Sequence, residues 1–340
     1  MLTAAKKSIT AHPNSWYAVA RSKDIPSGSR RVIHVLSREI LLFRTNTGSL
    51  SAFDPFCPHL GAHIGKSGRV VDDTLQCGFH GWKFRADGSC AEIPYARRIP
   101  PKARLTSYPV YESHGLVFLY YHADRTAPSG VPSLPQLDAI NPAISTWKTR
   151  RWHLRRLRSQ LIDVNENVAD PVHFQYVHGG QAVTRCELLD DEETFHTRVD
   201  FGLSFLGFNL TTVVDTILYE PGIFVNHTTY PSGQVLVVGG TTPIDEEHCQ
   251  TLVKVLVPRS KSLHAFALSS IAAWRVGRAI GEDTEMFFSK VFRDHPLLCE
   301  EDRALARYRH WHSRYVSKKT DPPKEQSKIP AGAVVADSAV

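Results

Sequence analysis

The sequence predicts an α+β protein, in which an N-terminal all-β module precedes a larger region combining an antiparallel sheet with helices. Three observations carry this. Short apolar runs broken by turn residues fill residues 15–123. Longer alternating runs, Gln234–Gly239 and Gln250–Val257, lie between residues 196 and 270. Near the end, Leu305, Tyr308, Trp311 and Tyr315 recur at helical spacing. The 340 residues suggest two domains, with 42% hydrophobic and 22% charged residues as in an ordinary globular chain. There is no run of 18 uncharged apolar residues, so no membrane span is expected.

Residues 1–14 form a lead-in without the apolar stretch of a secretory signal. Strands are expected at Trp16–Ala20, Arg31–Leu36 and Ile40–Arg44, with a turn at Asn46–Gly48. Gly68–Cys77 reads as a turn and strand, Asp87-Gly88 as a hairpin turn, and Leu116–Tyr121 as the buried strand that closes the module at 123. A Pro-rich linker covers 124–145. The second domain, 146–316, opens on a basic strand, Lys148–Arg158. The segment Ser159–Gly180, ended by Gly179-Gly180, follows it, and then the second sheet. Glu282–Arg293 reads as helix, Pro296 interrupts it, and Glu300–Val316 resumes it. A polar tail, 317–340, is expected to be disordered.

The chemistry concentrates in two places. In the first, Cys57-Pro-His59 and Cys77-Gly-Phe-His80 are separated by seventeen residues. One thiolate and one imidazole per loop suit a [2Fe–2S] cluster of the Rieske type, with both cysteines on one iron and both histidines on the other. Neutral imidazoles in place of two thiolates make such a cluster less negative and raise its potential. Zinc is the competing ligand, but zinc fingers pair C-x2–4-C with H-x3–5-H rather than mixing the types in each loop. Gly61, Gly81 and Trp82 also fit tight loops around a cluster.

In the second, Asn167-Val-Ala-Asp170-Pro-Val-His173 leads to His178. Residues five apart sit about 140° apart on an ideal helix, so a distortion at Pro171 or the glycine pair is needed to bring both rings round one ion. With one carboxylate they make a two-His, one-carboxylate site for non-haem Fe(II) and O₂. Asp170, three residues before His173, is the candidate catalytic group, as an outer partner of that ring or an electron relay. Spacing leaves the third ligand open among Asp294, Glu300, Glu301 and Asp302. A one-electron cluster beside this segment needs a destination for its electron.

Both constellations, in this order, resemble the oxygenase component of the Rieske non-haem iron oxygenases over about residues 15–316. Ile93–Arg104 and Asp294–Asp302 resemble the 3-ketosteroid 9α-hydroxylases, and the segment Glu166–His173 is similar to the cholesterol 7-desaturases of that group. The resemblance implies a helix-grip catalytic domain, one Rieske [2Fe–2S] cluster, one mononuclear Fe(II), and Asp302 as third ligand. It also implies a homotrimer in which Asp170 bridges the cluster of one subunit and the iron of the next. Electrons are expected from NAD(P)H through a flavin and iron–sulfur reductase or a ferredoxin, since no Gly-rich dinucleotide fingerprint is present. The expected activity is hydroxylation or desaturation of a bulky apolar, steroid-like substrate. The alternatives are hydroxylation, N-oxygenation or demethylation of a smaller aromatic or secondary metabolite, or an electron carrier with a vestigial second domain.

Phe201, Phe205, Phe208 and Phe224 are candidates to line an apolar cavity or to serve as core. The six cysteines show no disulfide framework and read as free thiols in a reducing, cytoplasmic setting. The net charge of +6 gathers in Lys148–Arg158, a solvated face or a docking patch for an acidic electron donor. No nucleic-acid-binding motif accompanies it.

Overall fold

The computed structural model describes residues 12–132 and 147–317, except 180, 182, 206–207, 231–232 and 260–261. Most of the lead-in, the linker from 133 on and the tail from 318 on therefore lie outside the described residues, as does Gly180.

The N-terminal region is built from three small antiparallel sheets. In the first, β1 (Ser15–Arg21) pairs with β11 (Leu116–Tyr121), and β11 with β10 (Val110–Ser113). A second orders β2 (Arg30–Val35), β3 (Arg38–Arg44), β4 (Leu50–Phe53) and β9 (Ser107–Tyr108). The third orders β5 (Arg69–Val71), β6 (Thr74–Gln76), β7 (Lys83–Phe84) and β8 (Cys90–Glu92). Gly88, at φ +82°, makes the turn between β7 and β8 in a region that L side chains rarely adopt. A single turn of helix, α1 (Ile64–Ser67), caps the first cluster loop. Leu41, Phe43, Phe53, Leu75 and Phe84, all fully buried, form the core beneath the loops.

The second region is a seven-stranded antiparallel sheet. Its order is β12 (Lys148–Leu157), β18 (Cys249–Val257), β17 (Gly233–Pro243), β16 (Ile223–Tyr230), β15 (Phe208–Glu220), β14 (Phe195–Phe205) and β13 (Val183–Leu188). The basic strand β12 is thus an edge, where exposed arginines meet water instead of a further strand. One face of the sheet carries α4 (Leu263–Ser289), which starts earlier than the sequence suggested, so residues 263–270 are helix rather than sheet. Its Ala272, Ala273, Val276 and Ile280, at helical spacing, bury against Val235, Val237, Val253 and Val255. Gly277 permits close approach to β12, since a Cβ there would meet His153 Cε1 at 2.5 Å.

Two shorter helices, α2 (Leu161–Ala169) and α3 (His173–Tyr176), lie between β12 and β13. The last helix, α5 (Arg303–Ser313), packs Tyr308 and Trp311 on Ala169, Phe195 and Leu218. The two regions share a core in which Trp16, Ala18 and Phe118 meet Ile223, Val225, Leu236 and Val238. Glu220 fixes that contact by accepting from the Trp16 backbone N–H at 2.8 Å.

Candidate metal centres and active-site cavity

The two cluster loops are conformational repeats of each other. In the first, Cys57 N–H donates to Ala62 O at 2.8 Å and Gly61 N–H donates back to Cys57 O at 2.9 Å. In the second, Cys77 N–H donates to Trp82 O at 2.8 Å and Gly81 N–H to Cys77 O at 3.1 Å. Each loop reverses at its fifth residue, where Gly61 and Gly81 take φ +72° and +74°.

Both cysteines are buried, while His59 and His80 lie half-exposed at the outer end with ring centroids 4.7 Å apart. Burial pushes the Cys57 thiol up to about 11. Two buried sulfurs facing two convergent imidazoles fit a [2Fe–2S] cluster whose histidine iron faces outward. Trp82 stacks on His59 at 4.8 Å and 11°, and its Nε1–H donates to Tyr95 Oη at 2.9 Å.

In the second region α2 stops at Asp170, ahead of Pro171, and α3 begins at His173. This break answers the geometric problem of histidines five apart, because the rings of His173 and His178 converge to 5.2 Å. The third acidic partner is Asp283, from the middle of the second half of α4. Ligand atoms of His173, His178 and Asp283 all lie within 4.8 Å of one another, which fits a single ion.

Asp302 does not join them. Its Oδ2 accepts from Cys299 N–H at 2.9 Å and from Cys299 Sγ at 3.2 Å, closing the turn Glu300–Asp302 that starts α5. The acidic run at 300–302 caps a helix, and among the described residues the expected ligand Asp302 is not brought to the histidine pair. Glu300 pairs with Arg303 instead.

Asp170 also differs in detail from its expected contact. His173 Nδ1 donates to the Asp170 backbone carbonyl, and the Asp170 carboxylate accepts from the Val172 and His173 backbone N–H groups at 3.0 and 3.3 Å. Either contact turns His173 Nε2 toward the centre.

Sequence reasoning missed the groups that orient the other two side chains. Glu282 lies 3.0 Å from His178 Nδ1 and is itself held by Arg278 at 2.7 Å. Asn167 donates to Asp283 Oδ1 at 3.2 Å. The pair Glu282-Asp283 beside apolar Ala279 and Ile280 was the available signal. Burial holds His173 below its ordinary value. His178 is raised, because Asp283 and Glu282 outweigh the opposing effect of burial.

The triad opens on a cavity of about 520 Å³ between the sheet and the helices. Val199, Phe201, Val214, Phe224 and Val237 give it apolar walls. The side chains of Phe205 and Phe208 lie outside the described residues.

Two family models match the chain: the Rieske [2Fe–2S] domain over residues 15–109, and the 3-ketosteroid 9α-hydroxylase C-terminal domain over 119–316. The chain belongs to the Rieske non-haem iron oxygenases. Such oxygenases use O₂ and take their electrons from a separate reductase or ferredoxin.

Among similar Rieske oxygenases, a cholesterol 7-desaturase of Ciona intestinalis is 27% identical over 336 residues, covering 89% of this chain and 68% of its own length. A probable 3-ketosteroid-9-alpha-monooxygenase oxygenase component of Rhodococcus rhodochrous is also 27% identical, covering 89% and 80%. Among solved structures, dicamba monooxygenase bound to 3,6-dichlorosalicylic acid superposes with a TM-score of 0.72 at 18% identity, covering 89% of this chain and 97% of its own. At that identity the likeness concerns the fold. Among the described residues, no helix of this Rieske oxygenase is long and apolar enough to cross a membrane.

Proposed function

We propose that this Rieske oxygenase hydroxylates or desaturates a bulky, apolar, steroid-like substrate, with His173, His178 and Asp283 holding its mononuclear iron. The observation that carries the reading is the convergence of those three side chains on a cavity of about 520 Å³ with aromatic and aliphatic walls. When bound, the cluster on Cys57, His59, Cys77 and His80 supplies single electrons and the Fe(II) activates O₂. The protein's own part is orientation and water exclusion. The Asp170 carbonyl and Glu282 fix the two rings, Asn167 fixes the carboxylate, and the walls exclude water around the reacting carbon.

The electron path runs between subunits of a homotrimer in this reading. Leu60, Phe79 and Tyr95 are 67%, 61% and 62% exposed around the two cluster histidines, and so much apolar surface at the cluster face supports its burial against another chain. The carboxylate of Asp170, whose Oδ2 has no partner among the described residues, is the bridge on the receiving side. Among the described residues no disulfide joins the cysteines, which supports a cytoplasmic setting in this reading.

The test is EPR of the anaerobic Fe(II)-nitrosyl protein, titrated with a 3-keto steroid. A high-spin nitrosyl signal that changes saturably with steroid is expected. A signal indifferent to steroids removes the substrate class, and the absence of any nitrosyl signal in iron-loaded protein removes the oxygenase centre.

A further inference from the structure

The cavity lining holds a polar ledge beside the apolar Val214 and Phe224. Thr216 on β15 and Asn226 on β16 are directly opposed across the strands, and Thr228 is the next residue on the same face of β16. Asn226 Nδ2 donates to Thr216 Oγ1 at 2.7 Å, and Thr228 Oγ1 donates to Asn226 Oδ1 at 2.9 Å. Thr216 and Thr228 are 7% and 5% exposed, so water has little access to them.

Hydrogen counting gives the ledge a direction. The amide carries two N–H groups and each threonine one O–H, four hydrogens in all. Two are used within the ledge. As drawn, the second Asn226 N–H and the Thr216 O–H are uncommitted. If the amide is turned over, the Thr228 O–H replaces that of Thr216, and the total is unchanged. Two other polar side chains of the lining have acceptors, Thr197 Oγ1 donating to Val168 O at 2.9 Å and Asn165 Nδ2 to Pro221 O at 2.7 Å, while Thr241 and Thr251 share one bond at 3.0 Å. Two uncommitted hydrogens in the cavity lining call for an acceptor oxygen on whatever fills it.

The ledge connects to the iron-binding triad on two sides, through Thr197, which donates to Val168 O beside the Asp283 partner Asn167, and along β14 through Phe201. Thr216 pairs with Thr197 on β14, four residues from Phe201, a separation of roughly 13 Å along a strand. Phe201 stacks on Phe174 at 4.9 Å, and Phe174 is 5.7 Å from His178.

We infer that Asn226, with Thr216 and Thr228, is the specificity-determining group of this oxygenase and receives an acceptor oxygen of the substrate. The inference rests on the proposed steroid-like substrate and adds which part of that substrate is read. A rigid ring system anchored at its oxygen presents one fixed carbon to the triad. An analogue lacking the oxygen leaves two buried donors unpaired and loses roughly ten- to a hundredfold in affinity.

The experiment uses the protein loaded with cluster and Fe(II). Its nitrosyl EPR signal is titrated with three steroids that differ at one position: a 3-ketone, the 3-hydroxyl and the 3-deoxo hydrocarbon. The expected order places the ketone and hydroxyl forms ahead of the deoxo form by at least about tenfold. In Asn226→Leu that preference falls below about threefold, while the nitrosyl signal without steroid is unchanged. Thr216→Val, a milder change, is expected to reduce the preference part-way. Preference unaltered in both variants overturns the ledge as the reader of the oxygen. Equal binding of all three steroids by the native protein overturns it too, yet leaves the steroid-like substrate standing. If none of the three perturbs the signal, the substrate reading fails and the ledge assignment with it.

Discussion

Asp283 Oδ1 stands 3.3 Å from His178 Nε2. The contact joins α4, packed over the β12 end of the sheet, to the loop after α3, elements that no local sequence relation connects. Asp283→Ala removes the charge that three converging ligands need. The mononuclear iron is expected to fall below about a tenth of native content while the visible spectrum of the cluster persists. Asp302→Asn is expected to retain the iron. Metal analysis of both variants decides, and iron loss in the Asp302 variant alone would reverse the assignment.

Glu282 acts through His178 rather than on a reacting atom. Glu282→Gln preserves a hydrogen-bonding group but removes the charge facing Nδ1. Fe(II) affinity is expected to drop about ten- to a hundredfold, with the fold intact by circular dichroism. Unchanged affinity in a competitive chelator titration would assign Glu282 to Arg278 alone, which it meets at 2.7 Å.

Trp82 lies face to face with His59 and reaches Tyr95 through its indole N–H. Trp82→Leu is expected to speed loss of the cluster's visible absorption on storage and to shift its EPR signal. Tyr95→Phe, which removes only the acceptor of that N–H, is expected to have a smaller effect of the same sign. A cluster indifferent to both changes would leave the stack as packing.

His312 supplies a pH dependence. It is 4% exposed, and burial pushes it down to about 3. Its Nδ1 meets Tyr308 Oη at 3.2 Å, as an acceptor in the neutral ring. The folded value is below the unfolded value of 6.5, so the neutral form suits the fold. Stability from this group is complete above pH 6.5. It is lost as pH falls from there toward 3, because only the unfolded chain gains the proton, at up to about 1.4 kcal/mol per pH unit. Urea titrations between pH 7 and 5 are expected to show this slope, flattened in His312→Gln. An equal slope in the variant would place the dependence elsewhere.

Asp163, 1% exposed, meets Lys290 Nζ at 2.6 Å and Ser159 Oγ, and Lys290 and Arg309 both approach Glu166. The network ties α2 to the chain just after α4 and to α5. Lys290→Met leaves a buried carboxylate without its cation and is expected to cost about 3 kcal/mol, read by thermal unfolding. Asp163→Asn in the same background is expected to restore part of that loss.

Much of this was legible in the residues. The two cluster loops announce themselves because their ligands are local and their reversals demand Gly61 and Gly81. The histidine pair was legible once Pro171 was taken as a break. The carboxylate was not. Asp283 and Asp302 both lie in helical acidic runs, and only the packing of α4 across β12, β17 and β18 brings the first beneath the histidines. The start of α4 was missed for a related reason. Leu263–Ile271 contains apolar and small residues that suit either element, and the sheet beneath it selects helix. The ledge was invisible because Thr216 and Asn226 are ten residues apart in sequence and meet only through the register of β15 and β16.

The closing of the large sheet has a consequence for how the enzyme is assembled. β12, at one edge, pairs with β18, so Lys148 waits for Val257 before the sheet and its cavity exist. The N-terminal sheets pair residues that have all been synthesised by Tyr121. Short-range pairings form ahead of long-range ones, and domains fold as they emerge from the ribosome. The residues of the iron–sulfur pocket are therefore all synthesised by His80, some two hundred residues before Asp283, the last side chain of the proposed mononuclear site.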